Sequence, residues 1–205
     1  MKKYTLLLVV SLFSFFLKAQ TSNSFLLNLY GGYAFQDKVE YDGAYGYIED
    51  GFEYGAGLEY FFIDNSSVEL KYNRLDTKLP LYGPLGNQIN AGDDKGAINY
   101  VLVDYAHYFD TGGKLLPYLG AGAGVAILET PQSGNGTYFA WEAKLGVKIK
   151  TSSPLSINLN AYLQSAAAAV GNSYYWTYYG VVGVTDYVST YQFGLGATLS
   201  YDFSK

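Results

Sequence analysis

The sequence predicts an all-β protein: an eight-stranded antiparallel up-and-down transmembrane β-barrel. Three observations predict it. Eight stretches alternate apolar with polar residues or glycine, and two is the strand period. The connections between them alternate short and long. The apolar face of the stretches is aliphatic at mid-strand and aromatic towards both ends. Residues 191–203 show the period best, with Tyr191, Phe193, Leu195, Ala197, Leu199, Tyr201 and Phe203 on one face. Gln192, Gly194, Gly196, Thr198, Ser200 and Asp202 fall on the other.

The chain begins Met1-Lys2-Lys3, is apolar from Tyr4 to Leu17 and continues Lys18-Ala19-Gln20. A charged start, an apolar run and a small residue are the parts of a signal peptide, read here as residues 1–19 with cleavage after Ala19. The run is short of the roughly 20 residues of a spanning helix. No other apolar run matches it, so residues 20–205 must cross a membrane, if they do, as a closed barrel that satisfies its own backbone.

The eight strands are expected at residues 24–35, 52–62, 67–76, 98–109, 116–128, 138–150, 155–166 and 190–203. A tilted strand needs roughly 9–11 residues to cross a bilayer, whereas soluble strands average nearer 5–6. Residues 63–66, 110–115 and 151–154 are short connections rich in turn formers. Residues 36–51, 77–97, 129–137 and 167–189 are longer. That alternation matches short periplasmic turns and long external loops, with both termini periplasmic.

There is no cysteine, which excludes disulfides, thiolate metal sites and a cysteine-borne lipid anchor. Without residues 1–19 the chain carries 10 Lys+Arg against 18 Asp+Glu, a net charge of −8. Nucleic acid is therefore not an expected partner, because phosphate contacts need a basic face.

Alternation alone also fits a soluble lipocalin-like barrel with its apolar face inward. The composition of the faces decides for the membrane. Gly55, Gly57, Gly120, Gly122, Gly124, Gly194 and Gly196 share the polar face, where a narrow interior crowds backbones and bulky side chains. The apolar face has a lower aromatic set (Phe25, Tyr60, Phe62, Tyr105, Phe109, Tyr201, Phe203) and an upper one that includes Tyr33, Phe35, Phe52, Tyr54, Phe139 and Trp141. Leu58, Val103, Leu145 and Leu159 lie between, an aliphatic band between two belts. The lumen then receives Glu53, Glu59, Glu69, Lys71, Asp104, Glu142, Lys144, Lys148 and Asp202. Both signs are present, and eight strands leave an interior that side chains fill, so a packed polar network is expected. The inward glycines leave some room for a narrow pore.

With the strand count, the connection pattern, the Gly120-Ala-Gly-Ala-Gly124 strand and the terminal Phe193…Tyr201-Asp-Phe203 strand, the chain resembles the small outer-membrane β-barrel family. That group includes the OmpA transmembrane domain and OmpX-like proteins. The resemblance implies a bacterial outer-membrane location, contact with outer-membrane lipid and lipopolysaccharide, and insertion by the barrel-assembly machinery. Tyr201 and Phe203 resemble the family's C-terminal assembly signal, although Ser204 and Lys205 follow the aromatic that usually closes the chain.

Some relatives of this size act on lipid A through a histidine base. The one histidine, His107, precedes a short turn and shares the outward parity of Val103 and Tyr105, a position suited to an interfacial ring. No catalytic, cofactor or metal residue is assigned. The acidic residues Asp37, Asp42, Glu49, Asp50, Asp93 and Asp94 read as a solvated external rim. Tyr174, Tyr175, Trp176, Tyr178 and Tyr179 in the 167–189 connection are rigid aromatics of the kind that dominate recognition surfaces, with a surface protein or glycan as partner. The same segment also reads as a plain hairpin extension over the barrel mouth. The expected role is a non-enzymatic surface scaffold with a plugged lumen; the alternatives are a low-conductance porin and, behind it, a lipid-A-modifying enzyme.

Overall fold

In the computed structural model, residues 23–41, 44–91, 94–130, 134–169 and 187–204 are described. Twelve strands follow in chain order: β1 (Ser24–Ala34), β2 (Asp37–Tyr41), β3 (Ala44–Ile48), β4 (Gly51–Ile63), β5 (Ser66–Lys78), β6 (Leu81–Tyr82), β7 (Lys95–Tyr108), β8 (Leu115–Thr130), β9 (Gly134–Lys150), β10 (Leu155–Ala169), β11 (Tyr187–Ser189) and β12 (Gln192–Asp202). Eight of them close a barrel in the order β1-β4-β5-β7-β8-β9-β10-β12, each antiparallel to its neighbours. The seam pairs β12 with β1 from Leu26↔Asp202 to Ala34↔Gly194. Closure leaves no free edge, so the barrel wall meets every backbone donor and acceptor internally.

The strand period has a physical cause in this barrel. Outward positions carry Leu29, Leu58, Leu70, Val103, Leu119, Leu145, Leu159 and Leu199, all exposed, around the waist. Exposed rings flank that waist. Tyr33, Phe35, Phe52, Tyr54, Phe139, Tyr191 and Phe193 lie towards the long-connection end, and Phe25, Phe62, Tyr105, Phe109 and Tyr201 towards the short turns. In water such a continuous apolar wall would aggregate; in a bilayer it is the correct solvent. The inward positions at mid-barrel carry Glu, Lys, Asn and Gln with small residues, and apolar clusters lie above and below them.

The connections differ from expectation in three places. Residues 129–137 do not form a long loop, because β8 and β9 keep pairing up to Thr130↔Gly134. Residues 36–51 and 77–97 are not plain loops either. They supply β2, β3 and β6, a separate three-stranded antiparallel sheet above the barrel. Outside the bilayer, backbone pairing needs no apolar alternation, so polar segments such as Asp37–Tyr41 form strands that the period cannot reveal.

Candidate functional site: a plugged lumen and an external tyrosine face

The inward parity of β4, β5, β7 and β9 brings eight of the nine expected lumen residues together. Glu53, Glu59, Glu69, Lys71, Asp104, Glu142, Lys144 and Lys148 are all buried. Charges taken out of water persist only with partners. Lys71 Nζ lies 2.6 Å from Glu142 Oε2, and Lys144 Nζ lies 2.6 Å from Asp104 Oδ2. Lys144 also reaches Glu69 at 3.4 Å and Glu142 at 3.7 Å. Lys148 sits 3.5 Å from Glu59, with its ammonium 4.9 Å from the Phe61 ring centre and 5.1 Å from that of Tyr108.

The ninth residue, Asp202, stays outside this network. It ends β12 at the short-turn side, is half-buried, and accepts the Ser204 N–H at 2.9 Å.

Neutral donors complete the arrangement. Glu59 accepts hydrogen bonds from Ser67 (2.6 Å), Tyr108 (2.7 Å) and Asn28 (3.2 Å). Glu69 accepts from Asn28 and from Tyr30. Glu53 accepts from Asn73 (2.5 Å), Gln164 (2.9 Å) and Tyr162 (3.2 Å).

Sequence reasoning missed Tyr30, Tyr108 and Tyr162 here because it read tyrosine chiefly as a belt residue. Strand parity alone places all three inward.

Two apolar clusters close the network from either side, and these also went unforeseen. Towards the short turns lie Leu26, Phe61, Ala106, Tyr108, Leu116 and Tyr118, with Phe61–Tyr108 and Tyr108–Tyr118 ring centres 5.2 and 5.1 Å apart. Towards the long connections, Ile48 of β3 drops into a cluster with Leu75, Leu79, Ile98, Tyr100 and Leu102. β7 is apolar at its inward positions over this stretch, so a polar inner face does not mark it there. The room left by the inward glycines is occupied: Tyr162 covers Gly194, Asp104 covers Gly122 and Lys144 covers Gly120. Side chains thus lie over these three of the seven inward glycines named from the sequence.

Above the barrel, one face of the small sheet carries Tyr45, Tyr47 and Tyr82. Tyr45 and Tyr82 stack at 5.0 Å and 12°, and Tyr47 stands edge-on to both. Lys38 lies 4.8 Å over the Tyr45 ring and pairs with Glu40. Asp37 accepts the Tyr191 N–H at 2.7 Å, tying this sheet to the barrel. Partial burial pushes the Asp37 carboxyl above the usual range, against the lowering effect of that hydrogen bond. On the outer wall just below, Arg74 bonds Asp76 (2.9 Å), Glu129 (3.1 Å) and Asn99 (3.1 Å), a polar patch at the rim of the apolar band.

The aromatic segment Tyr174, Tyr175, Trp176, Tyr178 and Tyr179 lies outside the described residues, as does the segment 1–19. Its flanks pair, Ala167↔Ser189 to Ala169↔Tyr187, so the hairpin continues above the barrel on both sides of it. Tyr201 and Phe203 pack edge-to-face at 5.1 Å, and the Phe203 N–H donates to the Phe25 carbonyl at 3.0 Å. His107 is outward near the short turns, its Nδ1 3.0 Å from Ser66 Oγ and its ring edge-on to Phe109.

No protein-family model matches the chain, and no curated protein matches it in sequence. Among solved structures it is similar to Neisserial surface protein A, with a TM-score of 0.59 and 15% identity over 86% of this chain and 96% of that one. It is similar to the outer membrane protein OprG from Pseudomonas aeruginosa, with a TM-score of 0.58 and 13% identity over 92% of this chain and 100% of that one. The N-terminal β-barrel domain of OprF from the same organism gives a TM-score of 0.51 and 16% identity over 88% and 98%. At these identities the likeness establishes the fold, that of small outer-membrane barrels.

Proposed function

We propose that the chain is an integral protein of the bacterial outer membrane, exported by a signal peptide at residues 1–19, that acts without catalysis as a surface scaffold and interaction protein. The observation that carries this reading is the closed interior, a buried ion-pair network between two apolar clusters, which leaves the external end as the working surface. Outer-membrane lipid and lipopolysaccharide cover the outward belts, and the barrel-assembly machinery reads the strand that ends in Tyr201 and Phe203. A surface protein or glycan docks on the 167–189 connection, and Tyr45, Tyr47 and Tyr82 offer a second external tyrosine group. Planar-bilayer recording of the refolded chain tests the closed lumen: no steady conductance is expected, and ohmic steps would replace this reading with a low-conductance porin. Pull-down with and without residues 172–186 tests the loop, whose role is refuted by an unchanged set of partners. A change in lipid A mass on expression, abolished by His107→Ala, would establish catalysis instead.

A further inference from the structure

The buried charges of the lumen do not balance. Among the described residues, five buried side chains are carboxyls (Glu53, Glu59, Glu69, Asp104, Glu142) and three are lysines (Lys71, Lys144, Lys148). Fully ionised, they would leave two negative charges without a counter-charge inside a closed, apolar-capped barrel, an arrangement that burial strongly disfavours.

The hydrogen bonds show where the imbalance sits. Glu59 and Glu69 each face a lysine and at least two further donors, so both are well served as carboxylates. Asp104 and Glu142 are not. Each gives one oxygen to a lysine at 2.6 Å, Oδ2 to Lys144 and Oε2 to Lys71, and Glu142 Oε1 has only the longer 3.7 Å approach of Lys144 Nζ. The other two oxygens, Asp104 Oδ1 and Glu142 Oε1, are buried with no hydrogen-bond donor. Yet the two carboxyl groups flank the bare backbone of Gly122, the cross-strand partner of both, and Asp104 Oδ1 sits where a Cβ on Gly122 would be. Two facing carboxylates repel; one proton between them turns that repulsion into a charge-assisted hydrogen bond. Among the described residues Glu53 has no ion-pair partner, and it is held by the neutral groups of Asn73, Gln164 and Tyr162. Asn73 Oδ1 is itself buried without a donor. With that amide turned over, its oxygen would accept a proton from Glu53, and the 2.5 Å separation suits O–H···O better than N–H···O.

The geometry points to two protons bound in the lumen, one on Glu53 and one shared between Asp104 and Glu142. The groups facing Glu53 are Lys71 and Asn73 from β5, Tyr100 from β7, Glu142 from β9, Tyr162 and Gln164 from β10, and Gln192 from β12. Those facing the pair are Glu53 from β4, Glu69 and Lys71 from β5 and Lys144 from β9. Two protons taken from solvent bring five carboxyls and three lysines to neutrality, so folding into the membrane takes up protons. A neutral interior also offers no electrostatic well to a passing cation.

Infrared spectroscopy of the full chain refolded in lipid vesicles at neutral pH tests this through the carbonyl stretch of protonated carboxyls. The wild type should show two such groups, and Glu53→Gln should lower that intensity by about half, because it removes one of the two proton-bearing sites. Side-chain carboxyl 13C resonances of the wild type give the same answer without any variant. One glutamate should sit at the acid position, with a second Glu and an Asp at intermediate, averaged positions. The proposal is overturned by five ionised carboxyl resonances, by absence of the acid carbonyl band, or by a folded Glu53→Gln that keeps the full band. Sodium or potassium retained after dialysis, with all five carboxyls ionised, would likewise overturn it in favour of a bound cation.

Discussion

The Tyr162 ring lies directly over Gly194, its cross-strand partner on β12, so a Cβ at position 194 would overlap the phenol. The ring cannot simply swing away, because its hydroxyl donates to Glu53 and it is buried on the inner wall. Gly194→Ala should therefore lower stability by about 1–3 kcal/mol, the usual range for overpacking a filled core. Gly31, outward on β1, meets nothing within 4 Å, so Gly31→Ala should stay within about 0.5 kcal/mol of wild type. Urea unfolding from lipid vesicles reads both; equal midpoints for the two variants would contradict the inward placement of the ring.

Lys71 and Glu142 form an ion pair across the lumen, at 2.6 Å with both side chains buried. Removing one partner strands the other, so Lys71→Met should cost about 3–5 kcal/mol. Lys71→Met with Glu142→Leu should cost less than the two single changes added together. A double-mutant cycle in the same unfolding assay measures the coupling, and strict additivity would mean that the pair does not interact.

The outward face makes a depth-dependent claim. Leu145 is exposed at the waist, whereas Leu155 is exposed where β10 begins beside the short turns. Leu145→Arg should cost about 2–4 kcal/mol and Leu155→Arg about 0–1, because arginine near an interface reaches water. Similar costs at both positions would contradict the assignment of waist and rim.

How legible this was differs by region, for physical reasons. Within the barrel wall, lipid outside and polar groups inside force the period of two, and strand positions follow from it. Glu53, Glu59, Lys71 and Lys144 follow by parity alone. Tyr30, Tyr108 and Tyr162 share that parity, but residue type masked their role, because a tyrosine suits both a membrane belt and a lumen that needs hydroxyl donors. Ile98, Tyr100 and Leu102 hid the upper cluster by putting apolar residues at inward positions of β7, where the pattern leads one to expect polar ones. The β2–β3–β6 sheet lies above the bilayer, where no solvent boundary imprints a pattern.

Asp37 links that external sheet to the barrel and gives the contact a pH dependence of definite sign. Its carboxyl is raised above the usual range by burial, while the Tyr191 N–H it accepts pulls the other way. A carboxyl raised on folding contributes stability that is fully present below its unfolded value, ~3.9, and is lost as pH rises through the folded value. The sheet should thus dock more tightly on acidification through the window between those two values. Asp37→Asn keeps an oxygen to accept the Tyr191 amide but removes the titration, so its docking should be flat across the same window. Hydrogen exchange at the Tyr191 amide, corrected for intrinsic pH dependence, reads the difference. Protection in the wild type that rises with pH would reverse the sign and place the hydrogen bond above burial as the dominant influence on this carboxyl.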